Sequence, residues 1–321
     1  MKKLLQILKP LAPFFEILLM PFTFIAIIWF RIARYWGLKQ TPLTRALFLK
    51  LGMYPIVDHY YDPLFDYRKL RKHQPKARFD FNIQNQLNLI TSFSFREELS
   101  AMPLNNPGGH SLNYYYENGS FGSGDAEFYY SLIRLIKPKR IIEIGSGFST
   151  RVAMAAVQKN TKADLGYTCE ITCIEPYEMP WLEQAGVNLL RTKMEELSPE
   201  FFDSLEGGDI LFIDSSHIIR PGGDVITTIF DLLPRLKSGV YVHFHDIFIP
   251  DDYPLAWLRD DFRMWNEQYI LEAFMINNNL YEVICMMNFL KKRHLEVVNN
   301  VFPILEKQPD REPGSFWIRR K

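Results

Sequence analysis

Cysteine is scarce in this chain of 321 residues, and neither sign of charge predominates. The three cysteines, Cys169, Cys173 and Cys285, are odd in number and form no Cys-x-x-Cys pair, which excludes a full disulfide framework and a cysteine zinc site. Such sparse use of cysteine favours a reducing, cytosolic compartment. The 37 basic residues balance the 37 acidic residues, so no net field favours nucleic acid as a partner.

A third glycine is missing where a dinucleotide site needs one. The apolar run at residues 141–144 leads into Gly145 and Gly147, but Thr150 stands at the third position of the dinucleotide fingerprint. Pyrophosphate binding is therefore disfavoured. Glycines at a strand-to-helix turn let a ligand lie against the backbone, and free N–H groups beside Glu143 suit an adenosine-bearing cofactor. An ordinary tight turn is the alternative that this motif alone leaves open.

Residues 11–30 form a long apolar run that approaches the ~20 residues needed to cross a bilayer. Glu16, Pro13 and Pro21 interrupt it, and basic residues flank both ends, which argues against a simple crossing. No small-residue cleavage site follows, which argues against a signal peptide. We therefore expect residues 11–36 to contact the membrane as a peripheral or monotopic helix on the inner, cytoplasmic face. The alternative is a helix buried against the globular domain or a partner subunit.

The rest of the chain divides by its patterning into three predicted parts. Residues 1–39 are the apolar helical segment. Residues 40–120 are rich in Asp, Asn, Pro and Tyr without periodicity, which predicts an irregular cap containing a short helix near residues 83–95. In residues 121–321 apolar runs alternate with helical segments, which predicts a parallel sheet. The predicted strands are residues 141–144, 171–174, 187–190, 210–213, 240–244 and 281–286, with a closing run at 316–318.

Polar side chains follow four of these predicted strands. Because ligands bind beyond the carboxyl ends of parallel strands, we expect these side chains to line a site. Glu175, after the second strand, is placed to bind ribose hydroxyls. The ends of the fourth and fifth strands should converge, and they carry Asp214, His217, His243, His245 and Asp246.

Two kinds of chemistry are open to this convergent group. In the first, Asp214, His245 and Asp246 hold a divalent cation that lowers the pKa of a substrate hydroxyl. In the second, no metal is needed, and His217, His243 or His245 takes the hydroxyl proton as general base.

Three blocks in order carry a family resemblance: Ile142-Glu-Ile-Gly-Ser-Gly-Phe-Ser-Thr150, Phe212-Ile-Asp-Ser-Ser-His217 and His243-Phe-His-Asp-Ile-Phe248. They resemble class I S-adenosylmethionine-dependent methyltransferases, of the group related to polysaccharide and antibiotic-sugar O-methyltransferases. The resemblance covers about residues 114–290. It implies an α/β, Rossmann-like sheet of seven strands, mostly parallel with an antiparallel last strand, and S-adenosylmethionine as cofactor. The cofactor-binding residues it implies are Glu143, Gly145, Ser146, Gly147, Ser149, Glu175 and Asp214.

The resemblance implies an O-methyltransferase that acts on a hydroxyl of a sugar, glycan or glycolipid precursor, and the apolar segment at residues 11–36 places this activity at the cytoplasmic membrane face. His217, His245 and Asp246 would then activate a small-molecule or lipid-linked glycan acceptor. His245 stands where related enzymes have an acidic metal ligand, which favours a transition metal or a proton-transfer role over Mg²⁺. The alternatives are a membrane-docked cofactor-binding or scaffold subunit without turnover, and an N-methyltransferase or hydroxylase on a related fold.

Overall fold

The computed structural model describes residues 8–57, 63–64, 77–108, 112–261 and 263–321. The chain forms two compact units, Met1–Arg71 and Lys72–Lys321. Parts of the Asp- and Tyr-rich tracts near His59 and His110 lie outside the described residues. The three-part division predicted from the sequence, at residues 39 and 120, stays a prediction.

Among its described residues, the first unit contains the α-helices α1(Ala12–Trp36) and α2(Pro42–Leu51). A 3₁₀ turn at Lys9–Leu11 precedes α1, and Pro21 lies inside it. Within the part of the chain that the structure describes, Lys9–Trp36 is one helical stretch long and apolar enough to cross a membrane, judged by length and composition.

The second unit is built on a seven-stranded sheet in the order β3-β2-β1-β4-β5-β7-β6. Strands β1 to β5 run parallel, and β7 runs antiparallel to both β5 and β6. The predicted fold class is confirmed, including the antiparallel last strand. The strands are β1(Arg140–Ile144), β2(Glu170–Ile174), β3(Asn188–Leu190), β4(Ile210–Ile213), β5(Tyr241–Phe244), β6(Tyr281–Met286) and β7(Phe316–Arg320).

Helices and short helical turns surround the sheet. Short 3₁₀ helices lie at Pro180–Gln184 and Pro199–Ser204, and the α-helical turn Asp224–Thr227 continues into π-helical and 3₁₀ turns as far as Arg235. The α-helices of this unit are α3(Ile83–Thr91), α4(Arg96–Ser100), α5(Asp125–Ile136), α6(Phe148–Ala163), α7(Asp224–Thr227), α8(Leu255–Arg259), α9(Glu267–Met275), α10(Met287–Arg293), α11(Leu295–Val301) and α12(Pro303–Glu306).

Helix α5 begins at Asp125, but the Asp125 side chain does not cap it. Gly124 is the N-cap residue, and the Glu127 carboxylate accepts its N–H at 2.9 Å. Asp125 is instead the first helical residue, is fully buried, and accepts the N–H of Ser315 at 2.8 Å. Its carboxylate therefore fastens the helix to the segment that leads into β7.

Alternation along the strands divides the core into two layers, one on each face of the sheet. On β4, Ile210 and Phe212 pack with helices α5 and α6, whereas Leu211 and Ile213 pack on the opposite face. All four are buried, as expected for a parallel strand covered on both faces. The register pairs Ile144 with Ile213 and Ile213 with Phe244, so the carboxyl ends of β1, β4 and β5 form one edge of the sheet.

Candidate functional site

A cleft of about 410 Å³ opens at that edge, beyond the ends of β1, β2 and β4. Three of the predicted cofactor-binding residues, Gly145, Glu175 and Asp214, line it. Sequence reasoning did not single out Tyr177, Arg220 or Asp224, which line it as well, because no motif marks them. Loops carry Tyr177 and Arg220, and Asp224 is the first residue of α7. The sheet topology therefore brings together, in one cavity, the strand ends that the sequence identified separately.

Gly145 occupies a position that no other residue can fill. Its φ is +80°, and an added Cβ would lie 1.6 Å from the backbone oxygen of Asp214. Its N–H donates to the Ile174 carbonyl at 3.0 Å, and the N–H of Asp214 donates to the Ile144 carbonyl at 2.9 Å. The glycine thus lets the turn after β1 close against the end of β4, which brings Asp214 to the floor of the cleft.

Glu175 presents a carboxylate with one oxygen already engaged. Its Oε1 accepts the N–H groups of Tyr177 at 2.9 Å and Glu178 at 2.8 Å, which fixes the loop after β2. Its Oε2 has no hydrogen-bond partner among the described residues. The fixed carboxylate therefore keeps one acceptor available at the cleft, as binding of ribose hydroxyls requires.

Four other predicted cofactor-binding residues lie beside or beneath this turn. Glu143 is fully buried, and its carboxylate accepts hydrogen bonds from Tyr129 at 3.0 Å and from Thr150. Ser146 is buried and donates to the Glu143 carbonyl at 3.3 Å, and Ser149 is also buried. Gly147 begins α6, where its N–H donates to Thr150 Oγ1 at 3.2 Å. Cofactor contact by these four residues stays a prediction, and their observed contacts support the shape of the turn.

A cluster of carboxylates around one imidazole adjoins the cleft. His217 Nε2 lies 3.3 Å from Asp214 Oδ1 and 3.8 Å from Asp246 Oδ2. The potential ligand atoms of these three residues all lie within 4.8 Å of one another. Since Asp214 also lines the cleft, the cluster and the cleft share one wall.

Two of these three residues have backbone conformations that non-glycine residues seldom adopt. The φ angles are +59° at His217 and +55° at Asp246, both in the left-handed region. Gly314 makes room for Asp246, since a Cβ there would lie 2.9 Å from Asp246 Cα. The His217 carbonyl accepts the N–H groups of Asn266 and Glu267. Such strained residues held by their surroundings are typical of functional sites.

Glu267 completes the cluster and was not found by sequence reasoning. Its Oε2 lies 2.8 Å from His217 Nδ1, and the residue is 1% exposed. Glu267 is the first residue of α9, fifty positions after His217. In the sequence alone it is indistinguishable from the acidic residues that commonly stabilise a helix start through the helix dipole. Only the tertiary fold shows that it orients an imidazole.

The surroundings of His217 determine its charge. Burial opposes protonation, but the hydrogen bonds to Asp214 and Glu267 outweigh it and raise the pKa of His217 well above its usual value. Burial also opposes ionisation of Asp214, yet the charge of His245 and the hydrogen bond from His217 lower the pKa of Asp214. Burial raises the pKa of Asp246. At neutral pH the cluster therefore holds a protonated His217 against ionised Asp214.

His243 in β5 and His245 just after it point away from the cleft into the core. His245 is buried, with Nε2 3.5 Å from Asp246 Oδ1, and its ring lies 5.2 Å from that of Phe121. His243 stacks on Phe212 at 4.0 Å, and its Nε2 lies 2.9 Å from Ser315 Oγ. Burial lowers the pKa of His243 well below its usual value. Both histidines thus stand behind Asp246.

The residues present fit a divalent cation, with a donor set different from the predicted one. The group that the structure brings together is Asp214, His217 and Asp246, with His217 in the place that the sequence interpretation gave to His245. Two carboxylates and one imidazole suit a transition metal better than Mg²⁺. Glu267 would then serve as the carboxylate that orients a metal-bound histidine.

An aromatic cluster borders the same histidine. The Trp265 ring lies 4.2 Å from the His217 ring, and Trp265 packs edge-on against Trp257 and Tyr253. The Arg263 guanidinium lies between the two indoles, 4.2 Å from Trp257 and 4.5 Å from Trp265. The loop after β5 therefore holds aromatic faces next to the acidic cluster.

Comparisons with known proteins agree with this architecture. Residues 142–247, which run from β1 to just beyond β5, match a family model described as a methyltransferase domain. An uncharacterized protein of Archaeoglobus fulgidus is 28% identical over 163 residues, which cover 46% of this chain and 72% of that protein.

One solved structure is similar in part. It is the apo structure of a TDP-rhamnose 3'-O-methyltransferase of calicheamicin biosynthesis, matched with a TM-score of 0.41 and 13% identity over 79% of this chain and 99% of that chain. The family-model match includes the carboxyl ends of the strands that border the cleft, and the sheet is mostly parallel with an antiparallel β7. Residues 142–247 are therefore similar to a methyltransferase domain.

Proposed function

We propose that this protein methylates a hydroxyl of a sugar, glycan or glycolipid precursor at the cytoplasmic face of a membrane. The observation that carries the proposal is the cluster of Asp214, His217, Asp246 and Glu267, which shares the Asp214 wall with the cofactor cleft. A methyl donor held in the cleft would face an acceptor held at the cluster.

The cofactor half rests on the floor and wall of the cleft. Gly145 leaves the backbone open, and Glu175 keeps one carboxylate oxygen available for ribose hydroxyls. The bound S-adenosylmethionine would supply an electrophilic methyl group. The chain's own contribution is to align the acceptor with that group, because alignment supplies much of the acceleration in such displacements.

The acceptor half must remove a proton. As the acceptor oxygen gains the methyl group and the methyl–sulfur bond breaks, the hydroxyl proton passes to a carboxylate of the cluster. We assign this role to Asp246, since protonated His217 cannot accept another proton. The positive His217, held by Glu267, stabilises the negative charge that develops on the oxygen.

A divalent cation bound by Asp214, His217 and Asp246 would replace the His217 proton and lower the pKa of the hydroxyl. In either form the same three residues orient the acceptor. A chelator therefore separates the two forms without changing the proposed site.

A sugar acceptor is supported by the aromatic faces beside the carboxylates. Trp257 and Trp265 are both partly exposed, and Trp265 contacts the proposed catalytic His217. Apolar sugar faces pack on such rings while the hydroxyls meet carboxylates.

A membrane location is supported by α1. Every side chain from Ala12 to Ile25 is exposed, with Ile17 at 77% and Phe22 at 71%. A helix that is apolar all round needs lipid or a partner to cover it.

The test has two stages. Calorimetry of the purified chain with S-adenosylmethionine should detect binding, and no binding would end the proposal. Transfer of labelled methyl to nucleotide sugars and lipid-linked glycans should then fall at least 100-fold in Asp246→Asn, as expected for loss of a general base. The exposed Asp260→Asn serves as the matched control. Undiminished transfer in Asp246→Asn would remove Asp246 from the mechanism.

A further inference from the structure

Helix α2 was not part of the predicted membrane contact, yet it carries an uncovered apolar stripe. Leu43, Leu47 and Leu51 are spaced four residues apart and so lie on one face of the helix. They are 86%, 53% and 62% exposed. With three leucines side by side, the stripe needs an occupant.

The neighbouring face of α2 packs on the last turns of α1. Phe48 is buried, with its ring 4.9 Å from that of Phe30. Trp29 Nε1 donates to Thr44 Oγ1 at 3.2 Å. These contacts fix α2 to one end of α1 and leave the leucine stripe, which lies beside them, uncovered.

The end of α1 to which α2 is fixed is the basic end. From Ala12 to Phe30 the 19 residues of α1 include one charged residue, Glu16, and they span roughly 28 Å, close to the hydrocarbon thickness of a bilayer. Arg31 and Arg34 follow at once. Helix α2 therefore sits at the level where an α1 embedded in lipid would leave the hydrocarbon.

Charge and aromatic residues mark the same level. Most basic residues of the described stretch 8–57 lie at or after this end of α1: Arg31, Arg34, Lys39, Arg45 and Lys50. Glu16 is the one acidic residue in that stretch. Trp29 packs edge-on against Trp36 at 6.3 Å. The Arg34 guanidinium donates to the Tyr54 hydroxyl at 2.6 Å. Tryptophan, tyrosine and basic residues together are typical of a membrane–water interface next to anionic headgroups.

We infer that α2 lies in the plane of the membrane interface, with the leucine stripe in the acyl boundary and Arg45 and Lys50 among anionic phospholipid headgroups. The geometry is that of an amphipathic interfacial helix. The inference rests on the membrane contact of α1 that forms part of the proposed function. It adds a second contact surface, residues 42–51, and a preference for anionic lipid.

The experiment places an environment-sensitive fluorophore at single positions of α2 in the full chain. Cys169→Ser supplies the background, because the other two cysteines are buried. The label is attached to Leu47→Cys on the stripe and, as matched control, to Ala46→Cys, which is exposed on a different face. Both proteins are bound to vesicles of phosphatidylcholine with one-quarter phosphatidylglycerol, with or without lipids brominated near the headgroup.

We expect bromolipid to quench the Leu47→Cys label at least twofold more than the Ala46→Cys label. Omitting phosphatidylglycerol, or adding 0.5 M NaCl, should reduce that quenching while α1 still carries the chain into floating vesicles. Equal quenching at both positions overturns the inference. A label at position 47 that is shielded from aqueous iodide but not quenched by lipid also overturns it, since a protein then covers the stripe.

Flotation distinguishes this failure from that of the proposed function. A chain that floats without selective quenching at position 47 refutes the interfacial helix alone. A chain that does not float refutes the membrane contact of α1 as well. Neither outcome changes S-adenosylmethionine binding, which tests the methyltransferase proposal separately.

Discussion

Glu143→Gln tests how a buried acid beneath the cofactor turn couples pH to stability. Glu143 is fully buried, and burial raises its pKa to about 7 despite hydrogen bonds from Thr150 and Tyr129. In the unfolded chain the same carboxyl has an ordinary pKa of 4.5. Folding therefore favours the protonated form.

The sign of the effect follows from this difference. Below about pH 4.5 both states hold the proton, and the group does not reduce stability. As the pH rises towards 7, the unfolded state releases the proton while the folded state keeps it, so the free energy of unfolding falls. A difference of roughly 2.5 pKa units corresponds to about 3 kcal/mol, and the loss is complete above pH 7.

Glutamine removes the titration while keeping the size of the side chain. The variant should lose about 1 kcal/mol at pH 5 from altered hydrogen bonding to Tyr129 and Thr150. At pH 8 it should be more stable than the original chain by about 2 kcal/mol. From pH 5 to pH 8, the free energy of unfolding of the variant minus that of the original chain should therefore change by about 3 kcal/mol.

Urea unfolding in mild detergent, followed by near-ultraviolet circular dichroism, measures this difference at pH 5, 6, 7 and 8. The exposed Glu296→Gln is the control, and its difference from the original chain should not change with pH. A Glu143→Gln difference that stays constant within about 0.5 kcal/mol across the range would refute the assignment of a raised pKa to Glu143.

Four further outcomes are expected. Gly145→Ala should abolish S-adenosylmethionine binding in calorimetry, because its Cβ would overlap the Asp214 backbone oxygen; retained affinity would contradict the described turn. Gly147→Ala meets only Met179 Cε, at 3.6 Å, so the fold should persist, and at least tenfold weaker binding would indicate that the cofactor lies against that glycine. Glu267→Gln should lower kcat at least tenfold with little change in cofactor affinity and should shift the pH profile of transfer to lower pH, since His217 loses the partner that raises its pKa; an unchanged profile would exclude a positioning role. Deletion of residues 1–36 should release the protein from membranes in fractionation, and unchanged fractionation would count against α1 as the anchor.

Patterning predicted the sheet better than the helices around it. The strands β1 to β6 were located within one residue, because each contains a short, mostly apolar run that the core buries. The sequence did not distinguish α-helices from short 3₁₀ helices such as Pro180–Gln184, because five residues are too few for apolar spacing to reveal a helical period.

The rule that ligands bind beyond the carboxyl ends of parallel strands correctly predicts that Glu175, Asp214 and Asp246 lie at one edge of the sheet. It could not separate His217 from His245, since both follow strands. His245 continues the alternation of β5 and points into the core beside Phe121, whereas His217 leaves β4 in a left-handed conformation and turns toward the aspartates.

By itself, the sequence determined the sheet, the glycine turn and the edge at which the chemistry gathers, because periodicity and glycine requirements are local. The tertiary structure alone decided which imidazole meets the carboxylates, that Glu267 orients it, and that Gly314 makes room for Asp246. His217 lies 29 positions from Asp246 and 50 from Glu267, and Gly314 lies 68 positions from Asp246. No local pattern records such a distance through space.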